Sequence, residues 1–417
     1  MRMYWETDDE VILQGTDYRD KDLLGLMRCG KSPFDGIWDS MRLIQEIEEC
    51  LNVQVVDIPR VYNGRYNYGF HLILSNRQEV IARLAQTDVN APYYSGKTAT
   101  DLADQVRFEV ETDRLLRATP SIRAARLIYY RTPHQLEEEL LDCPRNISGR
   151  MLLVNQKLPG NSNVWSTFNA TQKKAFLSQA AVIRAAKFHL ELPAGFVSSW
   201  YYNYVAAQAS RPIDISNMTP REICMACVAI RIEAVMGRVG EDVYENYTSG
   251  VSAVVIKRKL LRLLPHLLSE NDFLYRPVLE HNYYGVQHMS VVTDENGVPT
   301  ITSVYDWKNA VVLPAILSNP VLAVTVDLVL NENVEPHFSR AALLASDNKR
   351  AQYMSWSEDY FEALFEHAPD YERIMKTGKD VRYVWFTLGK WRGNNPDFFF
   401  TTLAEWVQKK MVEFDLE

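Results

Sequence analysis

The chain of 417 residues is long enough to form two lobes, each with its own buried core. Its composition is 47% hydrophobic and 24% charged, which is ordinary for a globular protein and excludes disordered, collagen-like and coiled-coil classes. The formal net charge is −8, and no block of lysine and arginine occurs, so the sequence shows no footprint of a nucleic-acid-binding protein.

Targeting signals and the positions of the cysteines say little about the function of the protein. No apolar window of about twenty residues occurs, so we expect no membrane span. The N-terminus lacks the apolar run of a signal peptide, and we expect a cytoplasmic protein. The five cysteines are too scattered for a disulfide framework. Cys224 and Cys227 form a CxxC motif in a helical pattern, where small apolar side chains on a helix face are the simpler interpretation and redox or zinc chemistry is the alternative.

The first part of the chain predicts a small β-rich lobe. Apolar spacing predicts a helix over 37–52 that ends at Asn52. Short β-type runs separated by Asn-Gly and Ser-Asn turns then predict an antiparallel sheet. The predicted elements after Asn52 are strands at 53–64, 65–74 and 78–86, a helix at 100–117, and strands at 122–131 and 150–156.

The second part predicts a larger helical lobe. Turn-forming residues at 156–163 mark the boundary, and Thr171 is the predicted cap of a long amphipathic helix. Helical patterns recur at 219–237, 252–270 and 338–417, interrupted by a hairpin joined through Glu-Asn-Gly. The predicted organisation is therefore an N-terminal helical extension (1–54), an N-lobe (55–155) and a C-lobe (156–417) that contains a loop and hairpin at 281–307.

The segment HNYYGVQHMSVV at 281–292, followed by YDW at 305–307, has the spacing of a kinase catalytic loop and its metal-binding aspartate. In that pattern a loop histidine is followed by a catalytic aspartate two residues on, and then by an asparagine that holds the metal. Here Tyr283 takes the aspartate position and His288 takes the asparagine position. Only Asp306 is retained, so the loop has lost two of its chemical residues.

These motifs resemble the aminoglycoside-phosphotransferase-like branch of the kinase superfamily, in its fungal form, of which the chain looks like a degenerate member. The likeness covers roughly 55–400 and includes VIARL at 80–84 and FEVETDRLL at 108–116. The resemblance implies an α+β, kinase-like two-lobed fold with a small antiparallel-sheet N-lobe and a mainly helical C-lobe. It also implies that Arg83 takes the place of the phosphate-pairing lysine, that Glu109 pairs with it, and that the segment 63–74 covers the phosphates.

The departures from this pattern argue against phosphoryl transfer. A phenol, with an ordinary pKa of about 10, is neutral at pH 7 and cannot replace a carboxylate base. An imidazole nitrogen suits zinc or copper better than magnesium. The covering segment is also bulky where small residues would let backbone amides approach phosphates, because it contains Arg65, Tyr66, Tyr68 and His71. We therefore expect neither a bound metal nor a cofactor.

The same substitutions favour a repurposed small-molecule site. We expect Tyr283, His288 and Asp306 to be catalytic, through hydrogen-bond donation, oxyanion stabilisation and proton transfer. The predicted substrate-binding residues are Arg83, Tyr66, Tyr68, His71, Glu109, His281 and Lys308. Such a site suits cyclisation, isomerisation or cycloaddition of an apolar small molecule in fungal specialised metabolism.

Two other hypotheses remain open on the sequence. The chain could be a non-catalytic pseudokinase in which Tyr283 fills the old site and Arg83–Glu109 is only a structural ion pair. It could also be a divergent ATP-dependent small-molecule phosphotransferase with a shifted catalytic residue. The aromatic run at 200–204 favours packing over a substrate cage. The oligomeric state stays unknown.

Overall fold

The computed structural model describes residues 15–17, 21–34, 37–64, 66–91, 98–135, 146–201, 215–236, 253–341, 345–391 and 396–416. Arg65 and most of the aromatic run at 200–204 lie outside the described residues.

The strands of the described chain are β1 (Gly15–Asp17), β2 (Val55–Asn63), β3 (Asn67–Leu74), β4 (Glu79–Ala85), β5 (Leu127–Arg131), β6 (Leu152–Gln156), β7 (Pro277–Glu280), β8 (Met289–Thr293), β9 (Pro299–Val304), β10 (Val311–Pro314), β11 (Leu322–Ala323), β12 (Asp327–Leu330) and β13 (Pro336–Ser339). The helices are α1 (Leu23–Arg28), α2 (Ser40–Leu51), α3 (Ala99–Arg117), α4 (Ala170–Phe188), α5 (Ala194–Trp200), α6 (Pro220–Met236), α7 (Ala253–Leu267), α8 (Asp347–His367), α9 (Pro369–Thr377), α10 (Lys379–Lys390) and α11 (Pro396–Glu413).

The small lobe is built on one antiparallel sheet in the order β1-β2-β3-β4-β6-β5. Strand alternation sends Phe70, Leu72 and Leu74 to one face, where they share a buried core with α1 and α2. The described helices of the predicted 1–54 extension therefore pack into the small lobe's own core.

The opposite face of the sheet packs on α3. Leu153 pairs directly with Arg83 across β6 and β4, and it is buried against Val106 and Val110 of α3. Thr98 caps α3 in a reciprocal capping box with Asp101, which fixes where the helix begins. This arrangement brings the buried side of α3, and with it Glu109, to the strand residue Arg83.

The large lobe is mainly helical, and α4 contributes Phe176, Leu177 and Ala180 to its buried core. The predicted cap of α4 at Thr171 is wrong: Asn169 caps the helix, since its side chain accepts from the Gln172 amide while Gln172 accepts from the Asn169 amide.

Cys224 and Cys227 are free, buried thiols on α6, and burial raises the pKa of Cys227 to about 12. A buried, protonated thiol is inert.

The hairpin β8–β9 ties the large lobe to the small one. Just before Asp306, the Val304 amide donates to the Arg123 carbonyl (2.8 Å), and the Ala125 amide donates to the Val304 carbonyl. On the other strand, Asn161 and Val291 exchange backbone hydrogen bonds of 3.0 Å. A Cβ at Gly160, whose φ is +119°, would meet the Val291 backbone at 2.7 Å, so this close approach needs glycine.

These elements confirm the predicted fold class. A small antiparallel-sheet lobe, a helix paired through Glu109, a helical lobe and an embedded loop and hairpin follow one another in the kinase-like order. Within the described ranges, no helix is both long and apolar enough to cross a membrane.

Candidate functional site

The loop at 281–288 is anchored from several sides. The Tyr284 hydroxyl donates to the Ala180 carbonyl of α4 (2.7 Å), and Gly285 forms a parallel bridge with Ala323. A Cβ at Gly285 would lie 2.7 Å from the Ala323 carbonyl oxygen, so the two backbones fit only because residue 285 is glycine. The loop that carries Tyr283 and His288 is consequently held against α4 and β11.

His281 is a buried structural centre of this loop. Its Nδ1 accepts from the Tyr283 amide (3.2 Å), and its Nε2 lies 2.9 Å from the Tyr305 carbonyl, which requires the neutral Nε2–H tautomer. Trp307 packs edge-on against the ring. Burial, with neighbouring His288 and Lys187, lowers the pKa of His281 to about 3. His281 therefore shapes the loop and stays uncharged, and the structure gives it no exposed edge for a substrate.

Asp306 occupies the centre of the candidate site. It follows β9 in a left-handed conformation (φ 64°), which turns the chain into a short 3₁₀ segment. Its Oδ1 lies 3.7 Å from Arg83 Nη1 and 3.9 Å from Lys308 Nζ, and its Oδ2 lies 3.9 Å from His288 Nδ1. Burial alone would raise the pKa of Asp306, but Lys308, His288 and Arg83 together hold that pKa below its ordinary value.

Arg83 connects α3 with the hairpin. Its Nη2 donates to Glu109 Oε2 at 2.5 Å, while its Nη1 faces Asp306. Burial alone would lower the pKa of Arg83, but the two carboxylates raise it above the ordinary value. The guanidinium is therefore a fixed positive charge, one-fifth exposed, in the cleft between the lobes.

The aromatic residues surround this charged group. The ring centroids of Tyr283 and His288 are 6.1 Å apart, and His288 also packs edge-on against Tyr305. Lys308 Nζ lies 5.4 Å from the centroid of the Tyr66 ring, whose residue is 57% exposed. The structure thus gathers Tyr66, Tyr283, His288, Arg83, Asp306 and Lys308 of the predicted residues, with Glu109 behind Arg83.

The two other predicted residues of the covering segment lie elsewhere, which corrects the sequence-based grouping. Tyr68 belongs to β3, not to a loop, and it contacts Phe34 and Trp38 on the far face of the sheet. His71 shares the face of Arg83, but its Nε2 lies 2.7 Å from Glu79. Burial is the main reason that the pKa of His71 is lowered.

A buried ionic cluster directly behind the loop was not predicted. Glu280, the residue before His281, lies 2.8 Å from Arg184 Nη1 and 3.1 Å from Lys187 Nζ, and all three are buried. Burial, helped by the adjacent Arg184, lowers the pKa of Lys187 to about 7. Both cations lie on α4 among buried apolar positions, and charges on an apolar helix face were the available sequence signal.

The donor set does not fit a magnesium ion. Asp306 is the one carboxylate of the loop and hairpin near the cleft, and the cations Arg83 and Lys308 and the imidazole of His288 already lie 3.7–3.9 Å from it. Glu109 is engaged by Arg83, and His288 offers an imidazole where magnesium prefers oxygen. Across the ranges listed for the fold, no group of three or more His, Cys, Asp or Glu side chains is placed to hold a metal.

Comparison with known proteins finds similarity in structure only. No family model matches the sequence, and no curated protein matches it. Among solved structures, aminoglycoside phosphotransferase APH(2'')-Ib with ADP gives a TM-score of 0.44 at 10% identity, covering 88% of this chain and 97% of that one. Macrolide 2'-phosphotransferase MphH from Brachybacterium faecium gives 0.40 at 13% identity, covering 88% and 97%. At these scores the similarity assigns no activity to this chain.

We predict that the ion pair between Arg83 and Glu109 is strongly coupled. Arg83→Met alone and Glu109→Leu alone should each lower the free energy of unfolding by about 3 kcal/mol, because each removes one side of a hydrogen-bonded ion pair and leaves the other side buried. The double variant should cost clearly less than the two losses added. Chemical denaturation measures this cycle, with Arg107→Met as control, since the exposed Arg107–Asp104 pair of the same helix should contribute below about 1 kcal/mol. Additive single losses would contradict the coupling.

We also predict that His281 makes stability depend on pH. Its pKa is about 3 in the folded protein and about 6.5 when unfolded, so between these values the unfolded state binds the extra proton. Stability should fall as pH drops through this window, with a contribution of about 1.4 kcal/mol per pH unit.

The matched variant is His281→Asn, which keeps a donor and an acceptor but does not titrate. The difference between the two proteins in denaturation curves from pH 7 to pH 4 isolates His281 from the other titrating groups. Parallel pH profiles for the two proteins would show that His281 is not held neutral.

Proposed function

We propose that the chain is a kinase-fold enzyme that moves a proton on a small molecule and does not transfer phosphate. The supporting observation is the surrounding of Asp306 by Arg83, His288 and Lys308 at 3.7–3.9 Å. Phosphoryl transfer needs a carboxylate free to hold Mg²⁺ and a second one to orient the acceptor. Here the first already faces the positive charges of Arg83 and Lys308, and Tyr283 replaces the second.

The proposed reaction assigns a role to each side chain. His288 removes a proton from a carbon next to a carbonyl group, and Asp306, whose Oδ2 lies 3.9 Å from His288 Nδ1, stabilises the positive charge that the ring gains. The electron pair of the broken C–H bond forms a C=C bond while the π pair of the carbonyl group moves onto its oxygen, where Arg83 and Lys308 stabilise the resulting negative charge. The protonated His288 returns the proton at another position, which completes an isomerisation with no oxidant or co-substrate.

The aromatic residues support a substrate with an apolar part. Tyr66 and Tyr283 border the charged group and present ring faces beside Lys308 and His288. A ring or polyene could pack there while its carbonyl oxygen reaches the cations. We extend the proposal to apolar metabolites of fungal specialised metabolism and to cyclisations that begin with the same proton transfer.

An ATP-dependent phosphotransferase is the second candidate, and one contact favours it. Arg83 keeps its 2.5 Å pairing with Glu109 and extends toward Asp306, as a phosphate-pairing cation would. Under this second candidate, the reaction would lack a catalytic base, because Tyr283 stands at the position of the catalytic aspartate.

We predict that the protein exchanges a carbon-bound hydrogen of its substrate with solvent. Incubation of an apolar fungal metabolite extract with the protein in D₂O should label one compound, detected by mass spectrometry. His288→Gln should lower the labelling rate by about 10²-fold or more, because general acid–base groups contribute about 10²–10⁴-fold. His367→Gln is the matched control, since His367 lies far along the chain at the end of α8.

The same extract with Mg·ATP separates the alternatives. Phosphorylation of a metabolite with consumption of ATP, and no deuterium labelling, would replace the proposal with the second candidate. Labelling that is unchanged in His288→Gln would refute the assigned base. Neither labelling nor ATP consumption would favour the non-catalytic pseudokinase.

A further inference from the structure

A cavity in the small lobe shares no lining residue with the candidate site described above. It has a volume of about 220 Å³ between the last turns of α3 and the edge strand β5. Its lining consists of Val110, Asp113, Arg114, Arg117, Arg126, Leu127, Ile128 and Tyr130. Three arginines and one aspartate give this cavity a net charge of +2 in a chain whose net charge is −8.

The aspartate of the cavity is fully used by the fold. Asp113 Oδ1 accepts from the Leu127 amide (2.7 Å), and Oδ2 pairs with Arg117 (2.5 Å). Arg117 also donates to the Leu127 carbonyl. These contacts fasten β5 to α3 and form a rigid, neutral floor beneath the two remaining arginines.

Arg114 and Arg126 supply the charge that the floor does not neutralise. Arg114 is one turn from Arg117 on the same face of α3, and Arg126 immediately precedes β5, so the two guanidinium groups come from opposite walls. Both are exposed, and neither forms an ion pair with a described residue. Such a pair of planar donors matches the oxygens of a phosphate or a carboxylate.

The remaining walls are apolar. Val110 and Leu127 are buried, Ile128 is half-buried, and Tyr130 is 43% exposed. An aromatic ring at the rim can stack on a planar group of a ligand. The volume of about 220 Å³ is below the roughly 300–1,000 Å³ of typical small-molecule pockets, so the cavity suits a small ligand.

We propose that this cavity is a binding site for a small dianion with an attached ring, such as an aryl phosphate or an aromatic dicarboxylate. Arg114 and Arg126 bind the anionic group, and the apolar wall with Tyr130 contacts the ring. The site is separate from the proposed proton-transfer site, and its test does not depend on that activity.

Isothermal titration of the full chain with phenyl phosphate, phthalate, inorganic phosphate and phenol tests the site. The two aryl dianions should bind, phosphate should bind more weakly, and phenol should not bind. Affinity should fall as salt rises, because the attraction is electrostatic and screened. Thermal unfolding confirms that each variant below is folded.

Variants of the cavity residues test whether the ligand binds in this cavity. Arg114→Gln with Arg126→Gln should weaken phenyl phosphate at least about tenfold, since each charged hydrogen bond is worth more than about 1.4 kcal/mol. Tyr130→Ala should weaken phenyl phosphate but not inorganic phosphate. Arg107→Gln, an exposed arginine elsewhere on α3, is the matched control and should leave affinity unchanged.

A cleft site is the rival location for the same anions. Lys308→Gln should leave the affinity unchanged if the ligand lies at α3 and β5, and should weaken it if the ligand lies beside Asp306. Binding that is lost in Lys308→Gln, binding that survives in the double arginine variant, or no binding to the unchanged protein would each overturn the proposal.

Discussion

Arg83 joins the two lobes, and the candidate site depends on that one guanidinium. It leaves the small-lobe sheet at β4, pairs with Glu109 of α3, and faces Asp306 at the end of the hairpin in the large lobe. An arginine can serve two carboxylates because its planar group carries several donors in fixed directions. Without Arg83, the carboxylates of Glu109 and Asp306 would lie in the same partly buried space with less positive charge to compensate them.

The charge balance around Asp306 determines which chemistry the cleft favours. Arg83 and Lys308 are the nearby cations, and His288 adds positive charge when it is protonated; these three side chains hold the pKa of Asp306 low although burial opposes this. A site of this kind stabilises negative charge that develops on a substrate oxygen more readily than it recruits a divalent cation. The buried cluster of Glu280, Arg184 and Lys187 supports the loop from behind.

The sequence predicted the fold class and the central contacts of the cleft, because those depend on motif order and spacing. Tyr283, His288 and Asp306 were placed together by the loop and hairpin pattern, and Arg83 with Glu109 by a strand followed by a helix. The prediction from sequence did not distinguish the residues of β3 that face the core from those on the other face of the sheet. Tyr68 follows the alternation of Phe70 and Leu72, and that period-two pattern was the signal that it faces the core.

Other features depended on contacts that no local pattern encodes. The cap of α4 lies at Asn169, since its reciprocal pairing with Gln172 satisfies two backbone amides. The cavity between α3 and β5 joins residues of a helix and an edge strand through Asp113, which sequence spacing does not reveal.

The binding of Mn²⁺ with ADP, followed by electron paramagnetic resonance, tests the central claim that Asp306 is held by side chains and not by a metal. We predict no stoichiometric Mn²⁺ site in the unchanged protein at micromolar metal. The variant that combines Tyr283→Asp with His288→Asn restores the two oxygen-bearing residues of the loop and should gain nucleotide-dependent Mn²⁺ binding. Tight binding by the unchanged protein that is lost in Asp306→Asn would contradict the account.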